Sequence, residues 1–152
     1  MDPSRLRRAV PADRIELERL IGVAFAPYVE RIGRPPAPMT ADYGAALADS
    51  RVWVADGDNR LEAALVLDPH AGYLLIEVIA VDPAAQGRGI GAALLDRAAE
   101  QARDLGLAEV RLYTNEAMTE NLVYYPRRGF IETGRRVEDG YRRVYFARAV
   151  SR

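Results

Sequence analysis

The sequence contains no cysteine and no lysine, and it has a single histidine, His70. Without cysteine the protein has no disulfide bond, no thiolate-bound metal, no iron–sulfur cluster and no cysteine nucleophile. One histidine is too few for a multi-histidine zinc site within one chain. The lack of lysine excludes a lysine Schiff base and the lysine of a phosphate-binding P-loop. We therefore expect no metal site and no covalent catalysis through sulfur or lysine.

Because lysine is absent, all 21 basic residues are arginine. Two explanations are open: a base-composition bias of the source genome, or a use for the five-donor guanidinium, which suits phosphate and carboxylate groups. The 22 acidic residues bring the net charge to −1. A protein with this charge is not expected to coat nucleic acid.

Long apolar runs are also missing. The longest candidate, Leu74–Val81, is interrupted by Glu77 and is far shorter than the roughly 18 residues of a membrane span. Met1–Arg8 carries three arginines, but Ala9-Val10-Pro11 is not the apolar core of a signal peptide. We expect a cytoplasmic protein that binds neither membranes nor nucleic acid. A chain of 152 residues, 49% of them hydrophobic, predicts a single globular domain over residues 1–152.

The first part of the chain predicts one strand and two helices. Leu6–Val10 precedes a proline and predicts an edge strand. An amphipathic helix begins at Pro11-Ala-Asp13 and ends near Pro27, with these apolar residues at helical spacing: Ile15, Leu17, Leu20, Ile21, Ala24 and Phe25. Residues 31–39, the proline segment, hold three prolines and predict a stiff loop. Thr40 is the predicted N-cap of a second helix, Ala41–Ala48.

The rest of the chain alternates between strands and helices. Three strands at hairpin spacing are predicted over Val52–Ala55, Leu61–Leu67 and Tyr73–Val81. The later elements are a helix over Gly89–Leu105, a strand over Glu109–Tyr113, a short helix around Asn121–Tyr125, and a hairpin of Phe130–Thr133 and Tyr141–Ala149. The order βααβββαβαββ predicts an α/β (α+β) fold, with a mixed, mostly antiparallel central sheet flanked by helices. The crossover through the long helix predicts one parallel pair of strands.

The residues most indicative of ligand binding lie between the strand Tyr73–Val81 and the long helix. Gly87, Gly89 and Gly91 stand at alternate positions where that helix begins. Glycines let the backbone approach a ligand closely, and the free N–H groups at a helix start favour phosphate. Arg88 adds a charged donor. The structural alternative is a glycine-rich turn that only packs the helix closely against the sheet.

A dinucleotide-binding fingerprint fits this loop poorly. Five residues, Asp82–Gln86, separate the strand from the first glycine, whereas the fingerprint follows its strand directly. The expected acidic residue is also missing around Tyr113–Asn115, at the end of the next strand. A nucleotide-binding oxidoreductase is therefore disfavoured.

Two motifs resemble those of the GNAT family of N-acetyltransferases. Gln86-Gly-Arg-Gly89-Ile-Gly91 is similar to the acyl-CoA pyrophosphate loop of that family, and Asn121-Leu-Val-Tyr-Tyr125-Pro-Arg-Arg-Gly129-Phe130 is similar to its second motif. The resemblance extends over nearly the whole chain. It implies acetyl-CoA as cosubstrate, and it implies these binding residues: Ile79, Val81, Gln86, Gly87, Arg88, Gly89, Ile90, Gly91, Ala92, Asn115, Asn121 and Tyr125.

Glu77 is the only charged residue within its apolar strand. Strict alternation places it on the same face as Ile79 and Val81. Burial would raise the pKa of Glu77 and suit it to general-base catalysis, directly or through water. The alternative is a structural carboxylate paired with an arginine. The resemblance further implies that the Val81 backbone N–H stabilises the oxyanion.

Tyr125 occupies the position of the general acid in the family, and the resemblance implies that role here. Pro126 departs from the family pattern, and a proline disfavours helix at the residue before it. The helix should therefore be very short or end at Tyr125, and Tyr124 is the alternative acid. Asn115 and Asn121 would contact the pantetheine arm or cap the helix.

Without cysteine no acyl-cysteine intermediate forms, so we expect direct transfer within a ternary complex. The expected acceptor is the amine of a small molecule, amino acid or peptide. Candidate acceptor contacts in and beside the proline segment are Tyr28, Arg31, Arg34 and Met39, because an arginine there could bind a carboxylate. A non-catalytic acyl-CoA-binding or regulatory module on the same fold is the second hypothesis. Many relatives are dimers, so a homodimer is also considered. His70 lies in a turn and is expected to be exposed.

Overall fold

The computed structural model describes residues 5–151, so the first four residues of the segment considered as a targeting signal lie outside the described part. Its elements are β1 (Arg7–Arg8), α1 (Arg14–Ile32), α2 (Tyr43–Ala48), β2 (Val52–Asp56), β3 (Leu61–His70), β4 (Tyr73–Val81), α3 (Ile90–Asp104), β5 (Glu109–Asn115), α4 (Thr119–Arg127), β6 (Ile131–Glu138) and β7 (Tyr141–Ala149). This order confirms the predicted succession of strands and helices.

The strands form one sheet in the order β1-β2-β3-β4-β5-β7-β6. Every neighbouring pair is antiparallel except β4 and β5, which are parallel and joined through α3. The mixed, mostly antiparallel sheet and its single parallel crossover are therefore confirmed. Within residues 5–151, no helix combines the length and apolar character needed to cross a membrane.

Helices cover both faces of the sheet. On one face, α3 and α4 pack through residues such as Leu94 and Tyr125. On the other, α1 and α2 pack through residues such as Leu17, Leu20 and Tyr43. These two layers are called the α3 side and the α1 side below. The apolar periodicity of α1 predicts most of its buried face, although Ile15 is 83% exposed.

Several predicted boundaries were wrong because proline does not always end an element. Helix α1 continues through Pro27 to Ile32 and ends at Gly33, whose φ of 87° is left-handed. Strand β3 continues through Pro69 to His70, which leaves only two residues for the turn. Helix α4 likewise includes Pro126. A proline lacks one donor, but each of these prolines is exposed, so water can replace the hydrogen bond that is lost.

The cap of α2 was also predicted wrongly. The helix begins at Tyr43, and Asp42 is its N-cap, since its Oδ1 accepts a hydrogen bond from the Ala45 N–H at 3.0 Å. The Thr40 hydroxyl instead donates to the Ala37 carbonyl oxygen, inside the short 3₁₀ turn Ala37–Thr40. Asp and Thr are both good N-caps, so only the path of the chain distinguishes them.

A β-bulge interrupts the pairing of β3 with β4. Val66 pairs with Val78, but the next residue, Leu67, pairs with Ile76, so Glu77 is an extra residue on β4. The bulge shifts the side-chain alternation: residues on the α3 side are Leu74, Ile76, Ile79 and Val81, and those on the α1 side are Val78 and Ala80. The expectation that Glu77 shares a face with Ile79 and Val81 was therefore wrong.

Strands β4 and β5 part beyond the bulge. They pair only from Tyr73 to Ile76 on β4, opposite Glu109 to Leu112 on β5, although β4 continues to Val81 and β5 to Asn115. The backbone groups of their carboxyl-terminal halves do not pair with each other. This separation opens a cleft through the middle of the sheet.

Candidate active site

The glycine loop joins β4 to α3 and leaves backbone donors unused. Gly87 and Gly89 have φ angles of 83° and 78°, which L side chains rarely adopt. Gly89 is the N-cap of α3, and the Ala93 N–H is the first to bond within the helix, to the Gly89 oxygen at 3.1 Å. The preceding N–H groups at the helix start have no intrahelical acceptor. No atom would lie within 4 Å of a Cβ at Gly87, so this loop fits a diphosphate group.

Side chains of the loop contribute less than its backbone. Ile90 is buried in the α3-side core, so only its N–H can face a ligand. Gln86 is exposed. Arg88 donates from Nε to the Ala85 oxygen at 3.3 Å and from Nη2 to Glu62 Oε1 at 2.9 Å. A contact between Arg88 and a phosphate stays a prediction, and it would compete with the Glu62 pair.

A buried carboxylate holds the base of the loop. Asp82 Oδ1 accepts a hydrogen bond from the Ala84 N–H at 2.9 Å, and Arg19 Nη1 of α1 lies 3.5 Å from its Oδ2. Asp82 is 5% exposed. Its own N–H donates to the Glu62 oxygen at 2.8 Å. The loop is therefore anchored to β3 and to α1, although its glycines are open.

The end of β4 presents backbone N–H groups to the cleft. Antiparallel pairing alternates, so the bond from the Asp82 N–H to β3 implies that the N–H groups of Ile79 and Val81 face away from β3. They face the side where β5 has separated. This orientation is compatible with the predicted role of the Val81 N–H as an oxyanion donor.

A cavity of about 230 Å³ occupies the cleft between β4 and β5. Five residues predicted from the sequence to be catalytic or to bind acetyl-CoA line this cavity together: Glu77, Ile79, Asn115, Asn121 and Tyr125. Its other walls include Phe25 and Ile32 of α1, and Pro36 and Pro38 of the proline segment. Because Glu77 lies on the α1 side and Tyr125 on the α3 side, the cavity joins the two faces of the sheet.

Glu77 is paired with an arginine and also has a raised pKa, two properties that the sequence left as alternatives. Its carboxylate Oε1 lies 3.3 Å from Arg51 Nη1. Burial nevertheless raises the pKa of Glu77 above its ordinary value, Arg51 opposes this shift, and the carboxylate of Asp68 adds to it. Asp68 Oδ2 in turn lies 2.9 Å from His70 Nε2. A half-buried glutamate with a raised pKa is suited to accept a proton near neutral pH.

The two adjacent tyrosines point to different places. Tyr125 is 5% exposed, lines the cavity and packs against Phe130 and Phe146, at ring-centroid distances of 5.7 and 5.8 Å. Burial raises its pKa above the ordinary value of a phenol. The Tyr124 hydroxyl instead lies 2.9 Å from where a Cβ on Gly91 would stand, at the start of α3. Tyr125 is thus the tyrosine placed at the cavity.

The two asparagines make bonds within the chain. Asn121 Nδ2 donates to Thr114 Oγ1 at 3.0 Å, which joins α4 to the end of β5. Asn115 Oδ1 accepts from the Ala117 N–H at 2.9 Å. Both residues also line the cavity, so their contact with a pantetheine arm stays a prediction.

The four nominated acceptor contacts lie around the cavity rather than among its lining residues. Arg31 donates to Glu120 at 2.9 Å and stacks on Tyr28. Arg34 donates to the Asp139 oxygen at 3.0 Å and stacks on Tyr141. Met39 packs against the α1-side core. The neighbouring Ile32, Pro36 and Pro38 line the cavity instead, and the acceptor roles of the four residues stay predictions.

Sequence reasoning missed Arg143 of β7. It lines the cavity, and its side chain is 11% exposed. The alternation of apolar residues with Arg143 along β7 was visible in the sequence. Which face of the sheet would border a cavity was not, because that depends on β4 and β5 separating.

The comparison with protein families agrees with this geometry. The model of the acetyltransferase (GNAT) domain matches residues 48–132, which is more than half of the chain. The protein therefore belongs to the GNAT family of acetyltransferases. Within residues 5–151 no cluster of three potential metal-ligating side chains is present.

Curated relatives match part of the chain. A mycothiol acetyltransferase of Beutenbergia cavernae is 40% identical over 84 residues, which are 53% of this chain and 28% of that protein. An IAA acetyltransferase of Azospirillum brasilense is 32% identical over 71 residues, which are 47% of this chain and 46% of that protein. The matched segments thus span less than half of the length of either relative.

Solved structures share the fold over nearly the whole chain. The PaiA N-acetyltransferase of Thermoplasma acidophilum, in complex with coenzyme A, superposes with a TM-score of 0.77 at 16% identity, covering 95% of this chain and 97% of that chain. An IAA acetyltransferase of Bacillus cereus gives a TM-score of 0.70 at 20% identity, covering 95% and 97%. At these identities the likeness establishes the fold alone.

Proposed function

We propose that this enzyme transfers an acetyl group from acetyl-CoA directly to the amine of a small molecule, amino acid or peptide. The observation that carries this proposal is the cavity between β4 and β5, with Glu77 on its α1 side and Tyr125 on its α3 side. The glycine loop beside it leaves the helix-start N–H groups free. Acetyl-CoA supplies an activated acetyl thioester, and its diphosphate matches the donors of the loop.

Each nominated residue has one task in this proposal. Glu77 accepts the proton that the amine loses as its nitrogen bonds to the acetyl carbon, directly or through water. The N–H of Val81 donates to the oxygen on which negative charge develops. Tyr125 gives a proton to the sulfur as the carbon–sulfur bond breaks. One proton is thus removed from the amine and one is added to the leaving sulfur, so the reaction needs no net proton.

The proposed kinetic mechanism is direct transfer in a ternary complex. The sequence has no cysteine, so no acyl-cysteine intermediate can form. Initial velocities measured at several fixed concentrations of each substrate should give intersecting lines in a double-reciprocal plot. Parallel lines would contradict the proposal.

The experiment that tests the function is acetyl-CoA-dependent turnover of an amine panel, measured by thiol release and by mass spectrometry. Glu77→Gln and Tyr125→Phe should each lower kcat by about 10²–10⁴-fold, the usual contribution of a general base or acid. The matched control is Tyr124→Phe, which should change kcat little. If all three variants turn over like the wild type, the proposed roles of Glu77 and Tyr125 are wrong. If the wild type binds acetyl-CoA but acetylates no amine of the panel, the non-catalytic binding module is favoured.

A further inference from the structure

We propose that Arg143 binds a carboxylate of the acceptor, so that this site acetylates a small molecule carrying both an amine and a carboxylate. The inference rests on the proposed function and narrows its substrate class. Three observations support it: the position and burial of Arg143, its unused hydrogen-bond donors, and the presence of Glu77, the proposed base, in the wall of the same cavity.

Arg143 is held rigidly at the edge of the cavity. It pairs in register with Asn115, the last residue of β5, where β5 has separated from β4. Its guanidinium lies 4.3 Å from the ring centroid of Tyr113 and 5.5 Å from that of Tyr141. Aromatic stacking of this kind fixes the plane of a guanidinium while its edge donors stay available.

The donors of Arg143 are not used within the described chain. Among residues 5–151 its guanidinium forms no hydrogen bond, and its ion-pair partner, Glu138 Oε1, is 3.8 Å from Nη1. Arg31 and Arg34, the arginines nominated from the sequence, both donate to protein oxygens. The side chain of Arg143 is 11% exposed, and its one carboxylate neighbour lies beyond hydrogen-bond distance, so its donors can bind a further acceptor. A bidentate carboxylate is the group that fits such a fork.

The anion that Arg143 receives belongs to the acceptor rather than to acetyl-CoA. Val144 and Phe146 pack on the α3 side, so alternation along β7 places Arg143 on the opposite face. The glycine loop and the start of α3, which fit the diphosphate, lie on the α3 side. Arg143 therefore faces the same layer as Glu77, the proposed proton acceptor for the amine.

The cavity also limits the size of the acceptor and favours an apolar side chain on it. Its volume of about 230 Å³ is below the roughly 300–1,000 Å³ of common small-molecule sites. Besides Glu77 and Arg143, its walls include the apolar residues Phe25, Ile32 and Pro36. Tyr141 closes this side, since its hydroxyl donates to the Pro35 oxygen at 2.7 Å and ties β7 to the proline segment. A compact amino acid with an apolar side chain matches these features.

The test compares acceptors that differ only in charge. The wild-type enzyme is incubated with acetyl-CoA and either a pool of the standard amino acids or a pool of the matching amino acid carboxamides. Mass spectrometry then identifies acetylated products. We expect acetylation in the acid pool and a kcat/KM about 10- to 100-fold lower for the carboxamide of each acetylated amino acid, as expected for loss of a charged hydrogen bond. Equal or preferred use of carboxamides, or acetylation in neither pool, overturns the inference.

Two variants separate Arg143 from general effects of charge. Arg143→Gln should raise KM for the acid about 10- to 100-fold and leave the carboxamide KM unchanged. The matched control, Arg142→Gln, removes the adjacent arginine, whose side chain is 77% exposed, and should leave both values unchanged. An equal loss on acid and carboxamide in Arg143→Gln also overturns the inference. Turnover of other amines in the panel, with binding of acetyl-CoA, shows independently whether the proposed function itself holds.

Discussion

Glu77 reaches the cavity because it is the extra residue of a β-bulge. An unbroken β4 would place it on the face of Ile79, whereas the bulge places it toward Tyr43 of α2 on the α1 side. There Arg51 is close enough to hold it and Asp68 is close enough to oppose its ionisation. One inserted residue thus determines where the proposed base lies and how readily it gains a proton.

The raised pKa of Glu77 predicts the acidic limb of the pH profile. The carboxylate is the active form of the proposed base, so kcat/KM should fall as pH falls through the pKa of this group. Because burial raises that pKa, the limb should lie above the value of about 4.3 of an ordinary glutamate. The measurement is kcat/KM as a function of pH, and the limb should disappear in Glu77→Gln. A limb that persists in that variant would assign the titration to another group.

The neighbours of Glu77 should move this limb in opposite directions. Arg51→Gln removes a cation that lowers the pKa of Glu77, so the limb should shift to higher pH. Asp68→Asn removes an anion that raises it, so the limb should shift to lower pH. Asp58→Asn, at an exposed turn between β2 and β3, is the control and should not move it. Shifts of the same sign in both variants would contradict this electrostatic account.

At the scale of elements, the glycine loop depends on backbone conformation. Gly89→Ala places a Cβ at a φ of 78°, which costs roughly 1–2 kcal/mol. We expect the start of α3 to distort and the affinity for acetyl-CoA to fall about tenfold, measured by calorimetry. Unchanged affinity would show that the left-handed conformation is not needed for binding.

A second glycine provides the matched control. Gly22 lies inside α1, and a Cβ there would meet no atom within 4 Å. Gly22→Ala should therefore stabilise the protein by about 1 kcal/mol through helix propensity, with unchanged affinity for acetyl-CoA. Thermal unfolding checks the first expectation and calorimetry the second. A destabilised Gly22→Ala would mean that α1 packs more tightly than its contacts indicate.

Pro126 shows that a proline in the sequence does not reliably predict where a helix ends. Pro126 was expected to keep the helix very short or to end it at Tyr125. Helix α4 instead runs from Thr119 to Arg127 and closes with a bond from the Arg128 N–H to the Tyr125 oxygen at 2.9 Å. Tyr125 is held by packing against Phe130 and Phe146. Tertiary contacts of a large aromatic residue outweigh the local preference of the residue before a proline.

For the whole molecule, the central sheet couples the two core layers. Strand β4 contributes Leu74 and Ile76 to the α3 side and Val78 and Ala80 to the α1 side. A core shared through one sheet is expected to unfold cooperatively. This supports the prediction of a single domain over residues 1–152, which unfolding experiments can test.

Substitutions in either core layer should lower the free energy of the same unfolding transition. Leu94→Ala on the α3 side and Leu20→Ala on the α1 side remove fully buried side chains, and each should lower the free energy of unfolding by about 2–5 kcal/mol. Fluorescence of Trp53, the single tryptophan, and far-UV circular dichroism should give coincident urea curves in both variants. Two separate transitions would contradict a single cooperative domain.

The sequence by itself determined the order of elements, the glycine loop before α3, and the absence of cysteine and lysine chemistry. These features depend on local periodicity, on backbone freedom at particular glycines, and on composition, all of which can be seen along the chain. Tertiary structure decided the face that carries Glu77, which tyrosine lines the cavity, and the place of Arg143 in its wall. Those outcomes depend on the register of β3 with β4 and on the separation of β4 from β5. Both arise from packing between segments far apart in the sequence, so no local pattern encodes them.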